Sequence, residues 1–182
     1  MLARQVPDHL VDASSASGDA AGCEIVEDRT MTPDDRLQAA TRAIRATLEG
    51  DSSVVDGLFA GDVQACLTTS VWSAPGLAVE IEDRTGAFED VDLHVTRARD
   101  LGDELWVEWT ASVFHSGALA VDDIVFPPTG RRTELHGITV VEFDSGLIRG
   151  FRQYWDSATL LDDEATASER AAPARRGRLQ RG

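Results

Sequence analysis

The residues best suited to chemistry lie near the end of the chain, in Leu147-Ile148-Arg149-Gly150-Phe151-Arg152-Gln153-Tyr154-Trp155-Asp156. This aromatic-rich run ends in a carboxylate, directly before Ser157-Ala158-Thr159-Leu160-Leu161, which reads as a short apolar helix start. A carboxylate at the mouth of an aromatic-lined sheet can move protons on a small organic molecule. Apolar surroundings raise its pKa toward neutrality, which is where a general base must work. Asp156 or Ser157 can equally cap the helix that follows, and a capping carboxylate has a lowered pKa and is a weaker base.

Two histidines could assist. His136 lies in Glu134-Leu135-His136-Gly137-Ile138-Thr139-Val140-Val141-Glu142-Phe143. With Ser145-Gly146 as a two-residue turn, Asp144 faces Leu147 and His136 faces Trp155. A neutral imidazole there can polarise a ketone or share a proton with Asp156; the alternative is a polar residue on the outer face of the sheet. His115 closes the run Val113-Phe114-His115 before Ser116-Gly117. Trp72, Trp109, Phe151, Tyr154 and Trp155 can together enclose a polycyclic or polyene molecule, although each taken singly reads as core.

These side chains need elements to hold them. Thr32-Pro33-Asp34-Asp35 is a helix start, with a capping hydroxyl, a proline suited to the first turn and acids at the positive dipole end. Leu37, Ala40, Thr41, Ile44 and Leu48 recur at helical spacing, so residues 33–49 form an amphipathic helix that Gly50 ends. Asp51 or Ser52 can cap a second short helix through Val54, Val55, Leu58 and Phe59 to Gly61. The period then becomes two. Strands are expected at 63–69, 90–98, 104–115, 132–143 and 147–156, with hairpin turns at 100–103 and 144–146. Pro75-Gly76 breaks the chain ahead of a weak helix over 77–87, and 116–130 reads as a long loop. Helices followed by long antiparallel strands predict an α+β fold with helices on one side of a curved sheet.

The 182 residues suit one domain, and a 42% hydrophobic content is enough for a core. Residues 1–32 read as a disordered leader, 33–163 as the domain and 164–182 as a disordered Arg-rich tail. The net charge of -15 argues against nucleic acid, since phosphate binding needs clustered positive charge. All 17 basic residues are arginine, which excludes Schiff-base catalysis by lysine. Cys23 and Cys66 lie far apart with no metal-binding spacing, no apolar run approaches a membrane span, and the first residues lack a signal-peptide pattern. A cytoplasmic protein without a membrane partner is the expectation. No phosphate loop, HExxH motif or serine nucleophile elbow is present.

The aromatic run ending in Asp156, together with Pro127-Pro128-Thr129-Gly130-Arg131-Arg132 and the 134–143 strand, resembles the SnoaL-like polyketide cyclases of the NTF2-like superfamily, over roughly residues 35–163. The resemblance implies a conical pocket formed by a sheet wrapped around the N-terminal helices, with the Trp109/His115 and Phe151/Gln153 faces turned inward. It implies proton transfer without cofactor or metal, with Asp156 in the position of the acid/base carboxylate, and a small hydrophobic substrate. It also implies a homodimer through the outer sheet face, where Trp106, Phe114 and Val141 are expected. Phe114-His115-Ser116-Gly117 is similar to the Gly-Thr-His-x-Gly segment of that family, with Val113-Phe114 in place of Gly-Thr. Limonene-type epoxide hydrolases end similarly, but their Arg-x-Asp pair and first terminal Asp correspond here to Trp109, Ala111 and Gln153, so that mechanism is not expected.

The function expected is therefore a cofactor-free cyclase closing a ring by aldol or epoxide-opening chemistry, with Asp156, His136 and His115 catalytic. Trp109, Gln153, Phe151, Trp155 and Trp72 are the expected substrate contacts. A non-catalytic binder and a ketosteroid-isomerase-like enzyme are the alternatives. The second suffers because Tyr154, the chain's one tyrosine, is expected to face away from the pocket.

Overall fold

The computed structural model describes residues 31–67, 70–121 and 124–160. The expected leader, apart from residues 31 and 32, and the expected tail lie outside the described residues.

Helix α1 spans Pro33–Glu49. The Thr32 hydroxyl accepts from the Asp35 N–H at 3.1 Å while the Asp35 carboxylate accepts from the Thr32 N–H at 3.1 Å, a reciprocal cap that satisfies two of the helix's unpaired donors. Gly50 ends the helix at φ 76°, and a Cβ there would sit 2.5 Å from the Thr85 backbone, so both backbone angle and space demand glycine. The buried stripe of α1 is Ala40, Ala43, Ile44, Ala46, Thr47 and Leu48. Asp51 accepts from the Ser53 N–H and starts a single 3₁₀ turn, Ser52–Val54, which runs into α2, Val55–Leu58. The chain becomes extended at once at Phe59, four residues before the expected strand start, giving β1, Phe59–Leu67.

Strand β2, Ser70–Trp72, folds back on β1. Helix α3 spans Ala74–Glu82. Pro75 does not break the chain here; it lies in the first turn of α3, where its missing N–H has no partner to lose. The long strands are β3, Phe88–Asp100, β4, Glu104–His115, β7, Arg131–Asp144, and β8, Leu147–Trp155. The expected loop 116–130 contains a small hairpin, β5, Leu119–Val121, and β6, Ile124–Phe126. The main sheet runs β2-β1-β8-β7-β4-β3, with β1 parallel to β8 and the other pairs antiparallel. A curved sheet with few helices gives the expected mixed α+β architecture. No described helix is long and apolar enough to cross a membrane.

Alternation is unbroken along β4. Leu105, Val107, Trp109, Ala111, Val113 and His115 are buried, while Trp106 and Glu108 are exposed on the other face. The hairpin β7–β8 departs from the expected register at one residue. Asp144 pairs with Leu147 and Phe143 with Ile148, but Glu142 pairs with Gly150, leaving Arg149 unpaired in a bulge. From there on Gly137, not His136, faces Trp155. A one-residue slip exchanges the two faces of a strand, so two expectations reverse together. His136 lies exposed on the outer face, and Val141, expected outside, is fully buried opposite Leu105.

Candidate functional site

The inner side of the sheet carries a short polar ladder. The Trp109 indole N–H donates to the Thr139 hydroxyl at 2.9 Å. Its ring lies across Gly137, where a Cβ would meet the indole at 2.2 Å, so glycine is what lets the large ring lie flat on its neighbouring strand. Thr139 pairs with Gln153 on β8, and the Gln153 amide meets the Thr47 hydroxyl of α1 at 2.9 Å. Trp109, Phe151, Thr139 and Gln153 are all buried.

At the end of β4 the His115 ring stacks at a tilt on Phe88, 5.4 Å between centroids, and Phe88 meets Trp155 edge-on at 6.4 Å. His115 is fully buried, and no hydrogen bond of ordinary length and angle reaches either imidazole nitrogen, the Gly117 backbone being the polar group that acts on the ring. Burial holds its pKa below the ordinary value, with the Gly117 backbone opposing that shift, so the ring is a neutral base at pH 7. The Trp72 indole nitrogen, the Thr129 hydroxyl and one terminal atom of the Gln153 amide are also buried without partners. Each such group costs about 1–3 kcal/mol if left without a partner. Among the described residues no group of three or more His, Cys, Asp or Glu could hold a metal ion.

Asp156 and His136 do not join this set. Asp156 is exposed at the end of β8, and its carboxylate accepts from the Ala158 N–H at 2.9 Å, the capping role. His136 is exposed, 3.6 Å from the Glu134 carboxylate. The two do share a concavity of about 950 Å³ that opens on the outer face, lined also by Trp106, Ile138 and Tyr154 and reached by two of the expected substrate contacts, Trp109 and Trp155; His115 does not line it. There Arg152 binds Glu104 at 2.7 Å and also Glu142, and the Trp106 indole N–H donates to Glu104 at 2.9 Å. The Trp106 bond, then Arg152, holds the Glu104 carboxyl below its ordinary range, and Glu142 above all raises Arg152. Tyr154 also faces outward; burial and then the Cys66 thiol push its phenol up.

Trp155 is half-buried on the inner side, and Trp72, paired with buried Ala65, is half-buried with it. Phe88, Thr139 and Thr47 are the inner residues that the sequence reading missed. Thr47 could have been found, as a polar residue at the i+7 position of the Ala40, Ala43, Ile44 stripe.

The family model of SnoaL-like polyketide cyclases matches residues 37–163. No curated protein matches the chain. Among solved structures the chain is similar to TsrD from Streptomyces laurentii, at 20% identity and TM-score 0.59, covering 73% of this chain and 96% of that one. It is similar to IdmH from Streptomyces antibioticus at 20% identity and TM-score 0.57, covering 74% and 99%. A protein of ketosteroid isomerase-like fold from Catenulispora acidiphila is similar at 16% identity and TM-score 0.54, covering 74% and 95%. At these identities the structures establish a shared fold, the NTF2-like one.

Proposed function

The chain belongs to the SnoaL-like polyketide cyclase family, which supports a cyclase-type role, and from that premise we propose that it closes a ring in a small hydrophobic substrate held on the inner side of the sheet, with His115 transferring the proton. The observation that carries this reading is a fully buried imidazole beside Phe88, kept neutral by burial, with no hydrogen bond of ordinary length and angle to either nitrogen. Such a base takes a proton from a carbon next to a carbonyl or from a hydroxyl. The carbanion or oxygen so formed attacks within the same molecule, one new bond closing the ring as a carbonyl π bond or an epoxide C–O bond breaks. The imidazolium returns its proton to the resulting alkoxide, so substrate and product are isomers. Trp155, Trp72 and Phe151 supply apolar contact and Gln153 a polar one.

The test incubates a linear poly-β-ketone ester with the protein and follows a product of equal mass and altered retention. His115→Gln is expected to lower the rate by about 10²–10⁴-fold, with Asp156→Asn close to wild type. A fully active His115→Gln variant overturns the assignment. One observation favours a second reading, that of a non-catalytic binder: none of the described carboxylates is buried, so no acid orients His115 from within the core. Binding without turnover would select it. The ketosteroid-isomerase-like alternative gains no support, since Tyr154 is exposed on the outer face.

A further inference from the structure

Thr47 has one hydroxyl proton and two oxygens drawn within reach of it. Its Oγ1 lies 2.7 Å from the Ile44 carbonyl oxygen and 2.9 Å from the amide atom of Gln153 drawn as Oε1. The other amide atom, drawn as Nε2, is buried and unpartnered. A carbonyl oxygen only accepts, and two oxygens at 2.7 Å without a proton between them repel. If Thr47 gave its proton to Gln153, the Ile44 contact would be such a repulsion and the whole Gln153 NH₂ group would be orphaned. Turning the amide by half a revolution leaves the shape unchanged and makes both contacts hydrogen bonds. Thr47 then donates to Ile44 and accepts from Gln153 Nε2. Thr139, opposite Gln153, takes the Trp109 N–H and makes no bond to the amide.

We propose that Thr47 fixes the Gln153 amide with its nitrogen toward α1 and its oxygen toward the interior, so that the site's inner end selects a ligand that donates a hydrogen bond, a hydroxyl or enol rather than a ketone or ether. Thr47 is then a positioning residue and Gln153 a specificity-determining one. This rests on the reading of the inner side as the ligand site. Gln153 lies two residues before Trp155 on β8, one inward position further from the His115 end of the sheet. A ligand hydroxyl held there is oriented without being deprotonated, because an amide oxygen is too weak a base to take its proton; His115 remains the group that does so.

Two measurements separate this proposal from the reading beneath it. In a nuclear Overhauser spectrum of the full chain, the Gln153 side-chain NH₂ protons are expected close to the Thr47 methyl; contacts only to other interior side chains overturn the amide orientation. Titration with 2-naphthol and with 2-methoxynaphthalene, matched in shape but for the donor, is followed through the Gln153 and His115 resonances. The naphthol is expected to bind about tenfold or more tightly. Gln153→Leu and Thr47→Val are expected to erase the preference, and Thr47→Ser, which keeps the hydroxyl, to retain it. Equal affinities in the wild type overturn the selectivity alone. Binding of neither probe overturns the inner side as a ligand site and the selectivity with it, whatever the amide orientation proves to be.

Discussion

The His115 imidazole can be protonated freely once the chain unfolds, whereas in the folded protein burial opposes it. Below about pH 6.5 the unfolded chain therefore binds the proton first, and the folded one follows only at its lower pKa. Between those two values the unfolded state holds more protons, so stability falls as the pH drops through 6.5 and this loss levels off below the folded-state pKa. The melting temperature of wild type relative to His115→Gln should fall across that interval and stay flat above pH 7; a difference that is flat throughout would show that the ring is not held neutral. Gly137 gives a second prediction at this scale. Gly137→Ala places a methyl 2.2 Å from the Trp109 indole, which must move and break its bond to Thr139. Overpacking of this kind costs about 1–3 kcal/mol, readable by chemical denaturation together with a shift in tryptophan emission.

The bulge at Arg149 shifts the β7–β8 register by one residue, so that Ile148 and Phe151, three apart in sequence, are both buried. The Arg149 side chain is exposed, with contacts to Asp62 at 3.5 Å and Asp144 at 3.8 Å, and exposed pairs contribute little. Arg149→Ala should therefore unfold within about 0.5 kcal/mol of wild type. Deleting Arg149 should likewise leave a folded chain, because it removes the one residue without a partner and uninterrupted pairing then reproduces the observed pairs, Glu142 with Gly150 and Gly137 with Trp155; a deletion variant that loses the wild-type circular dichroism would refute this. The bulge also marks the limit of what the sequence disclosed. Helix α1 was legible to its ends, because Thr32, Pro33, Asp35 and Gly50 act locally. Strand β4 was legible to its ends as well, because its alternation is unbroken. The inward faces of β4 and β8 follow from alternation once the resemblance chooses the side. The partner face of β7 depends on how two strands register, and Arg149 has nothing in its type or neighbours that announces a bulge. For the same reason Asp156 and His136 read as a convergent pair: they do converge, on the outer face.

At the scale of the whole molecule, the outer face of the sheet is an exposed apolar surface. Trp106 and Ile138 are each 44% exposed and Tyr154 47%, around a concavity of about 950 Å³, and Trp106 and Ile138 also line a second of about 520 Å³. Apolar surface of this kind on a long sheet is rare on a monomer. We propose that a second copy covers it. A two-fold axis would set the same patch against itself, so that the aromatic and aliphatic centre meets its own image, with the Arg152, Glu104 and Glu142 cluster alongside. A stable contact of this kind buries about 1,200–2,000 Å² in total. Sedimentation at micromolar concentration should give a dimer, and Ile138→Arg, which places a charge in the centre of the patch, should give a folded monomer; a wild-type chain that sediments as a monomer sinks the proposal. The same variant separates the two faces chemically. With the reaction on the inner side of each subunit, the Ile138→Arg monomer should keep turnover within a few-fold while the dimer is lost. A monomer that is folded but inactive would return the chemistry to the outer concavity, where Asp156 and His136 lie.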